Sequence, residues 1–338
     1  MTDTATRFER SDFQSDQEVR WCPGCGDYTI LAAVQSFLST LDIDRDKHVF
    51  VSGIGCSSRF PYYMATYGIH SVHGRAPAIA SGLAAANPDL NVWVITGDGD
   101  ALSIGGNHLI HAMRRNLNLN ILLFNNQIYG LTKGQYSPTS EVGKRTKSSP
   151  MGSIDYPFNP VSLALGAEAT FVARTIDMDR PHTARMLQAA FDHRGSSLIE
   201  IYQNCNVFND KAFLQLTGRE ERDENRIMLE EGEPIVFGSD NSMGVVIDGA
   251  VARVVAVADV GLEAIHVHDP SNPNPAVAFA LSRLSHGPLG PTPIGVFRSV
   301  DRETYGEAMQ EQLIAAQTSQ GPGDIDALLH STGTWTVE

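Results

Sequence analysis

Apolar positions along the 338 residues alternate between short unbroken runs and longer stretches of helical spacing. His48 to Ser52, Val92 to Thr96 and Asn120 to Phe124 read as buried strands. Between the last two lies IGGNHLIHAMRR, with Leu109, Ile110 and Met113 on one helical face. Further helices are predicted from about Tyr28 to Leu41, over HGRAPAIASGLAAANP as far as Asn87 and Pro88, and from about Pro181 to His193. VSLALGA, TFVAR and SLIEIY carry the alternation on to Tyr202. Strands that alternate with helices predict an α/β architecture around a parallel sheet. In such a sheet the turns that follow the strands share the carboxyl edge, where ligands bind.

The pattern weakens elsewhere. Residues 1–20 are polar and read as a mobile arm, and 136–159 read as a long turn-rich loop over the ligand edge. The charged stretch GREERDENRIMLEEGE marks a boundary near 218–234. The expected division is an arm (1–20), a ligand-binding domain (21–230) and a small mixed α/β extension (231–338).

Composition narrows the function. An apolar fraction of 42% with 30 glycines suits a globular chain that buries a core. Acidic residues outnumber basic ones 39 to 25, a net charge of −14, which argues against nucleic acid or an anionic membrane surface as partner. No run of eighteen apolar residues occurs and the amino terminus is polar, so the expected compartment is the cytoplasm, with no membrane segment. No internal repeat and no low-complexity tract interrupts the chain.

Two groups of residues carry chemistry. The run Val92–Thr96 ends in GDGD, which places Asp98, a hard oxygen ligand, between two glycines that permit close approach. Asn126 ends the neighbouring strand as a neutral oxygen ligand. Mg²⁺ on a diphosphate takes one or two such protein oxygens and completes its shell with phosphate and water. GDG alone reads more readily as a tight turn with a capping aspartate; GDG followed by NN one strand later is far more selective.

The second group is the cysteines. Cys22 and Cys25 form a C-x₂-C knuckle, while Cys56 and Cys205 each follow a strand end on the same predicted edge. Three readings compete: small buried hydrophobes with an incidental knuckle, a structural Zn²⁺ site, and a [4Fe–4S] cluster. Spacing does not separate iron from zinc.

The GDG…NN pairing resembles the thiamine diphosphate (ThDP) motif of the pyruvate decarboxylase and transketolase superfamily, in which Asp98, Asn126 and the carbonyl of Ile128 would hold the metal. With CPGCGDYTIL, GIGCSSR, HGRAPAIASGLAAANP, NNQIYGLTKGQ and the cysteine of QNCNVFND, residues 20–210 resemble the β subunit of a 2-oxoacid:ferredoxin oxidoreductase. The tail, with HDPSNPNPAVAFALSRL and PIGVFRSVDRETYGE, looks like the longer 2-oxoglutarate type.

The resemblance implies a doubly wound, mostly parallel sheet of the pyrophosphate-type ThDP-binding fold. It implies one [4Fe–4S] cluster on Cys22, Cys25, Cys56 and Cys205, beside ThDP and Mg²⁺. Contacts to ThDP would come from Ile54, Gly55, Cys56, Ser57, His73, Gly99, Asp100, Gly130 and Leu131. The implied reaction is coenzyme A-dependent oxidative decarboxylation of a 2-oxoacid, with electrons leaving through the cluster to ferredoxin. An anionic substrate calls for a facing cation, and Arg59 is the leading candidate; His73 would meet the diphosphate or a reacting oxygen, and Lys133 is a further candidate. The glutamate that activates ThDP would come from the pyrimidine-binding domain of an α subunit, in an (αβ)₂ assembly. Competing expectations are a non-redox ThDP decarboxylase subunit, pyruvate in place of 2-oxoglutarate, and a zinc-stabilised nucleotide-binding scaffold.

Overall fold

A computed structural model describes residues 8–284 and 290–337. The main sheet has eight strands among the described residues. They are β1 (His48–Ser52), β2 (Tyr67–His70), β3 (Asn91–Gly97), β4 (Leu119–Asn125), β5 (Phe171–Ile176), β6 (Ser196–Tyr202), β7 (Arg226–Leu229) and β11 (Thr292–Ser299). Their order is β2-β1-β3-β4-β6-β5-β11-β7, parallel from β2 through β5. The helices α1 (Asp27–Leu38), α2 (Ala76–Ala86), α3 (Asp98–Leu102), α4 (Gly106–Arg114), α5 (Pro160–Gly166) and α6 (Arg180–Asp192) pack on its faces.

Alternation along each strand shows why both faces are covered. Val92 and Val94 of β3 enter one core layer, with Leu119, Ile121 and Leu123 of β4. Trp93 and Ile95 enter the other, with Leu122, Phe124 and Phe50. A strand that is apolar at every position needs cover on both sides, the signature of a parallel sheet. From β1 the chain moves outward to β2, then returns to the far side of β1 as β3. This reversal puts a topological switch point between the ends of β1 and β3.

The predicted alternation is present, and the strand His48–Ser52 has the bounds read from the sequence. The single helix expected after GDGD is two helices, α3 and α4, separated at Ser103 and Gly105. Two expectations need correction. Of the polar arm, residues 1–7 lie outside the described residues, but residues 8–20 are packed: Phe13 is fully buried in a core layer, and Gln14 bridges to Met64. The region after 230 supplies part of the main sheet: β11 lies antiparallel to β5 and parallel to β7. Its remaining strands, β8 (Val236–Phe237), β9 (Met243–Asp248) and β10 (Val251–Ala256), form a small antiparallel sheet whose Val245 joins the same core. The last helices, Tyr305–Gln320 and Ile325–His330, bury none of their residues. No described helix is long and apolar enough to cross a membrane.

Candidate active site

The turns after β1, β3, β4 and β6 meet at the carboxyl edge because the strands are parallel and in register, Ser52 opposite Ile95, Gly97 opposite Phe124, and Asn125 opposite Tyr202. There the turns after β1, β3 and β4 enclose a cavity of about 480 Å³. Ile54, Gly55, Cys56 and Ser57 form one wall; Gly97, Gly99 and Asp100 the floor; Asn126, Ile128, Gly130 and Leu131 the opposite wall.

Asp100 organises this space. Its Oδ1 accepts from the Ile54 N–H (3.0 Å), the Gly74 N–H (2.7 Å) and His73 Nδ1 (2.7 Å), and its Oδ2 accepts from the Thr96 hydroxyl (2.7 Å). All its acceptor capacity toward the cavity is spent inside the protein, so Asp100 positions the wall rather than meeting a ligand through its carboxylate. The bond to Asp100 makes Nδ1 of His73 a donor and leaves Nε2 as the outward nitrogen over the cavity. Two glycines are required by geometry. Gly55 has φ +148°, and a Cβ at Gly99 would lie 2.1 Å from the Tyr129 ring, which covers it and donates its hydroxyl to the Gly99 carbonyl.

Asp98 stands one layer behind the cavity wall, 3% exposed at the first position of α3. Its Oδ2 accepts from the hydroxyls of Ser137 (2.5 Å) and Thr139 (2.6 Å), which close the predicted 136–159 loop over the site. Burial pushes its carboxyl up to about 6, against the opposing pull of these hydroxyls. Asn126 faces the cavity, its Oδ1 accepting from Ile128 N–H (3.1 Å), and the Ile128 carbonyl accepts none of the backbone bonds of its turn. Asn125 turns the other way, between Glu200 (2.7 Å) and Thr139 (2.9 Å). Two buried polar atoms on the cavity wall, Ser57 Oγ and Asp27 Oδ2, have no partner. Orphaned polar atoms around a cavity of this size fit a polar ligand such as a diphosphate-bearing cofactor.

A second cavity, of about 160 Å³, adjoins the first and shares Cys56, Asn126, Gly130 and Leu131 with it. All four cysteines line it, none in a disulfide. A Cβ on Gly130 would lie 3.4 Å from Cys56 Sγ and 3.7 Å from Cys205 Sγ, so both sulfurs face the same glycine. Burial pushes the Cys56 thiol up to about 12. Burial first, then the Asp27 carboxylate, pushes Cys25 well above its ordinary value. Without a cation these thiols stay protonated; a metal centre would take the protons' place. Among the described residues no three His, Cys, Asp or Glu are drawn together as ligands of one ion. Thiols spread around a cavity suit a multi-iron cluster better than a single zinc.

Two sequence candidates lie elsewhere than expected. Arg59 lines the thiol cavity and a third cavity of about 470 Å³ beyond Ile54 and Gly55, not the central one. Lys133 is exposed, with φ +81°, on the thiol side. Sequence reading missed Asn125, Ser137, Thr139 and Asp27 as parts of the site. Of these, Asp27 stood inside the CPGCGD knuckle and Asn125 beside Asn126 in the NN pair, while Ser137 and Thr139 lay in a turn-rich loop with no motif.

Comparison with known proteins defines the class first. Residues 53–201 match the family described as thiamine pyrophosphate enzyme, C-terminal TPP binding domain. The 2-oxoglutarate oxidoreductase subunit KorB of Mycobacterium tuberculosis is 60% identical over 331 residues, 97% of this chain and 88% of that one. The β subunit of 2-oxoacid:ferredoxin oxidoreductase 1 of Aeropyrum pernix is 46% identical over 190 residues, 56% of this chain and 60% of that one. A 2-oxoglutarate:ferredoxin oxidoreductase from Magnetococcus marinus, solved with 2-oxoglutarate, coenzyme A and succinyl-CoA bound, superposes with TM-score 0.77 at 30% identity over 98% of both chains. This chain belongs to the family of 2-oxoacid:ferredoxin oxidoreductase β subunits, thiamine-dependent oxidoreductases. The non-redox decarboxylase alternative is not favoured.

Proposed function

We propose that this chain is the ThDP-binding β subunit of a 2-oxoglutarate:ferredoxin oxidoreductase. The overall conversion balances as 2-oxoacid anion, coenzyme A thiol and two oxidised ferredoxins giving acyl-CoA, CO₂, two reduced ferredoxins and one proton. The observation that carries this reading is the shared wall: Cys56, Asn126, Gly130 and Leu131 belong to both the central and the thiol cavity.

In this reading Mg²⁺ is held by Asp98, Asn126 and the Ile128 carbonyl, which requires the Asp98 carboxylate to turn from Ser137 and Thr139 toward the cavity. Ile54, Gly55, Ser57, Gly99, Gly130 and Leu131 supply backbone and hydroxyl contacts to ThDP. ThDP, when bound, supplies the carbon nucleophile and electron sink that decarboxylation requires. His73, oriented by Asp100, presents Nε2 to a reacting oxygen or to the diphosphate. Arg59 and Lys133 supply positive charge near the mouth, for the anionic substrate. Cys22, Cys25, Cys56 and Cys205 hold one [4Fe–4S] cluster. An α subunit completes the site with its glutamate, in an (αβ)₂ enzyme, and free thiols suit the reducing cytoplasm.

The test is anaerobic co-purification with the α subunit, assay of iron, sulfide and ThDP, and turnover on a panel of 2-oxoacids with coenzyme A and ferredoxin. About four irons per β chain and preference for 2-oxoglutarate are expected. A colourless, zinc-bearing protein would overturn the redox assignment; preference for pyruvate would overturn the substrate.

A further inference from the structure

Gln203 is the first residue after β6, and its backbone N–H continues the sheet by donating to the Asn125 carbonyl (3.0 Å). Its side chain is 1% exposed and lines the thiol cavity. Nε2 lies 2.7 Å from the Asn204 carbonyl oxygen and 3.2 Å from Cys25 Sγ. The first contact fixes the amide orientation, because only a donor fits against a carbonyl oxygen. The second hydrogen of the same NH₂ is therefore left for the sulfur. The amide oxygen has no partner, so nothing in the protein competes for the reverse orientation.

We infer that Gln203 is a positioning residue of the electron-transfer step, donating a hydrogen bond to the Cys25 sulfur and raising the reduction potential of the cluster bound there. This rests on the cluster reading above. One-electron reduction adds a unit of negative charge that is shared by the iron and its thiolates, with no proton gained by the amide. An N–H aimed at one of those sulfurs stabilises the reduced state more than the oxidised one, as hydrogen bonds to cluster sulfurs generally do. The electron comes from 2-oxoacid oxidation and leaves to a ferredoxin-class acceptor, so the amide sets how readily the cluster accepts it. The strand register matters here: β6 pairs with β4 residue by residue up to Tyr202 and Asn125, which delivers Gln203 to the cavity from a rigid element.

The experiment is a redox titration of the anaerobically purified αβ holoenzyme, following the reduced-cluster electron paramagnetic resonance signal. Gln203→Met keeps the length and removes the donor; Gln203→Glu replaces the amide with an anion. The midpoint potential is expected to fall in Gln203→Met and to fall further in Gln203→Glu, with iron content unchanged. A full iron complement with an unmoved midpoint in both variants would overturn the inference and leave the cluster reading intact. Absence of iron from the wild-type protein would overturn the cluster reading itself. If both variants lose iron, electron–nuclear double resonance on wild-type enzyme carrying ¹⁵N-labelled glutamine decides. Coupling to an amide nitrogen supports the bond, and its absence overturns it.

Discussion

The two adjoining cavities are built in opposite ways. Around the larger one most polar groups are already tied to one another, Ser57 Oγ and Asp27 Oδ2 excepted: Asp100 accepts four bonds, and Ser137, Thr139 and Asn125 link Asp98 to Glu200. Glu200 is in turn fixed by Arg174 at 2.7 Å, both fully buried. Around the smaller cavity the four sulfurs are held by backbone turns, and among them only Cys25 Sγ accepts a side-chain amide. The wall of the first site is ordered by the protein, with the Asp98 carboxylate left to turn when its ligand arrives; the second needs its ligand to bring the thiols into their working charge state. Preorganisation costs little at binding because the ordering has already occurred in folding, whereas thiolate ligation couples binding to proton release.

The largest expected effect on that contrast is Asp98→Ala. It should weaken Mg²⁺ binding by roughly 100-fold or more and abolish ThDP retention, read by calorimetry with ThDP and Mg²⁺, while iron content is unchanged. ThDP held at wild-type affinity would remove Asp98 from the metal site. Cys205→Ala should act on the other cavity alone, losing most of the iron while amide exchange in β3, β4 and β6 is unaltered. Full iron in that variant would show that the ligand set is wrong. Thr139→Val removes the hydroxyl between Asp98 and Asn125; because Asp98 leaves that hydroxyl to reach the cavity, a loss of no more than roughly 10-fold in Mg²⁺ affinity is expected, and a larger loss would show that Asp98 meets the metal without turning.

Below both cavities lies the sheet, whose acid response should follow buried histidines. Burial holds His48 and His182 at about 4, below the unfolded value near 6.5. The unfolded chain therefore takes up these protons first. Their contribution is complete above pH 6.5 and is lost as pH falls toward 4, on the order of 3 kcal/mol each. Asp98, pushed upward, acts in the opposite sense. Urea melts of the ligand-free chain and of His48→Phe would show this; an equally steep acid loss in the variant would exclude His48. Smallest of all, Ser57→Ala removes an orphaned buried hydroxyl. The ligand-free chain should keep or slightly gain stability, while ThDP affinity falls by about 1 kcal/mol. Unchanged affinity would place Ser57 outside the contacts.

The alternating fold was legible because a doubly covered strand must be apolar at every position, as in Val92–Thr96 and Asn120–Phe124. The positions of Asp98, Asn126, Cys56 and Cys205 at one edge followed from that alternation, since parallel strands share an end; only the folded chain brings the Cys22–Cys25 knuckle to the same cavity. The packing of residues 8–20 was not legible: one buried aromatic, Phe13, anchors a segment whose composition is polar. Nor was the place of β11, since a strand that joins a sheet antiparallel some ninety residues after β6 leaves no local signal.

By itself the sequence determined which residue types stand at each strand end, and hence the kinds of ligand this edge can take, because side-chain chemistry and strand period are local properties. Only the tertiary structure decided which of those residues face the cavity and which are consumed inside the protein. Asp100 stands at the cavity but spends its carboxylate on Ile54, His73, Gly74 and Thr96, and Asn125, beside the predicted ligand Asn126, is held by Glu200 and Thr139, while Arg59 and Lys133 line the adjoining cavities. The reason is that hydrogen-bond capacity is finite, and its allocation depends on neighbours that the chain brings together from dozens of residues apart.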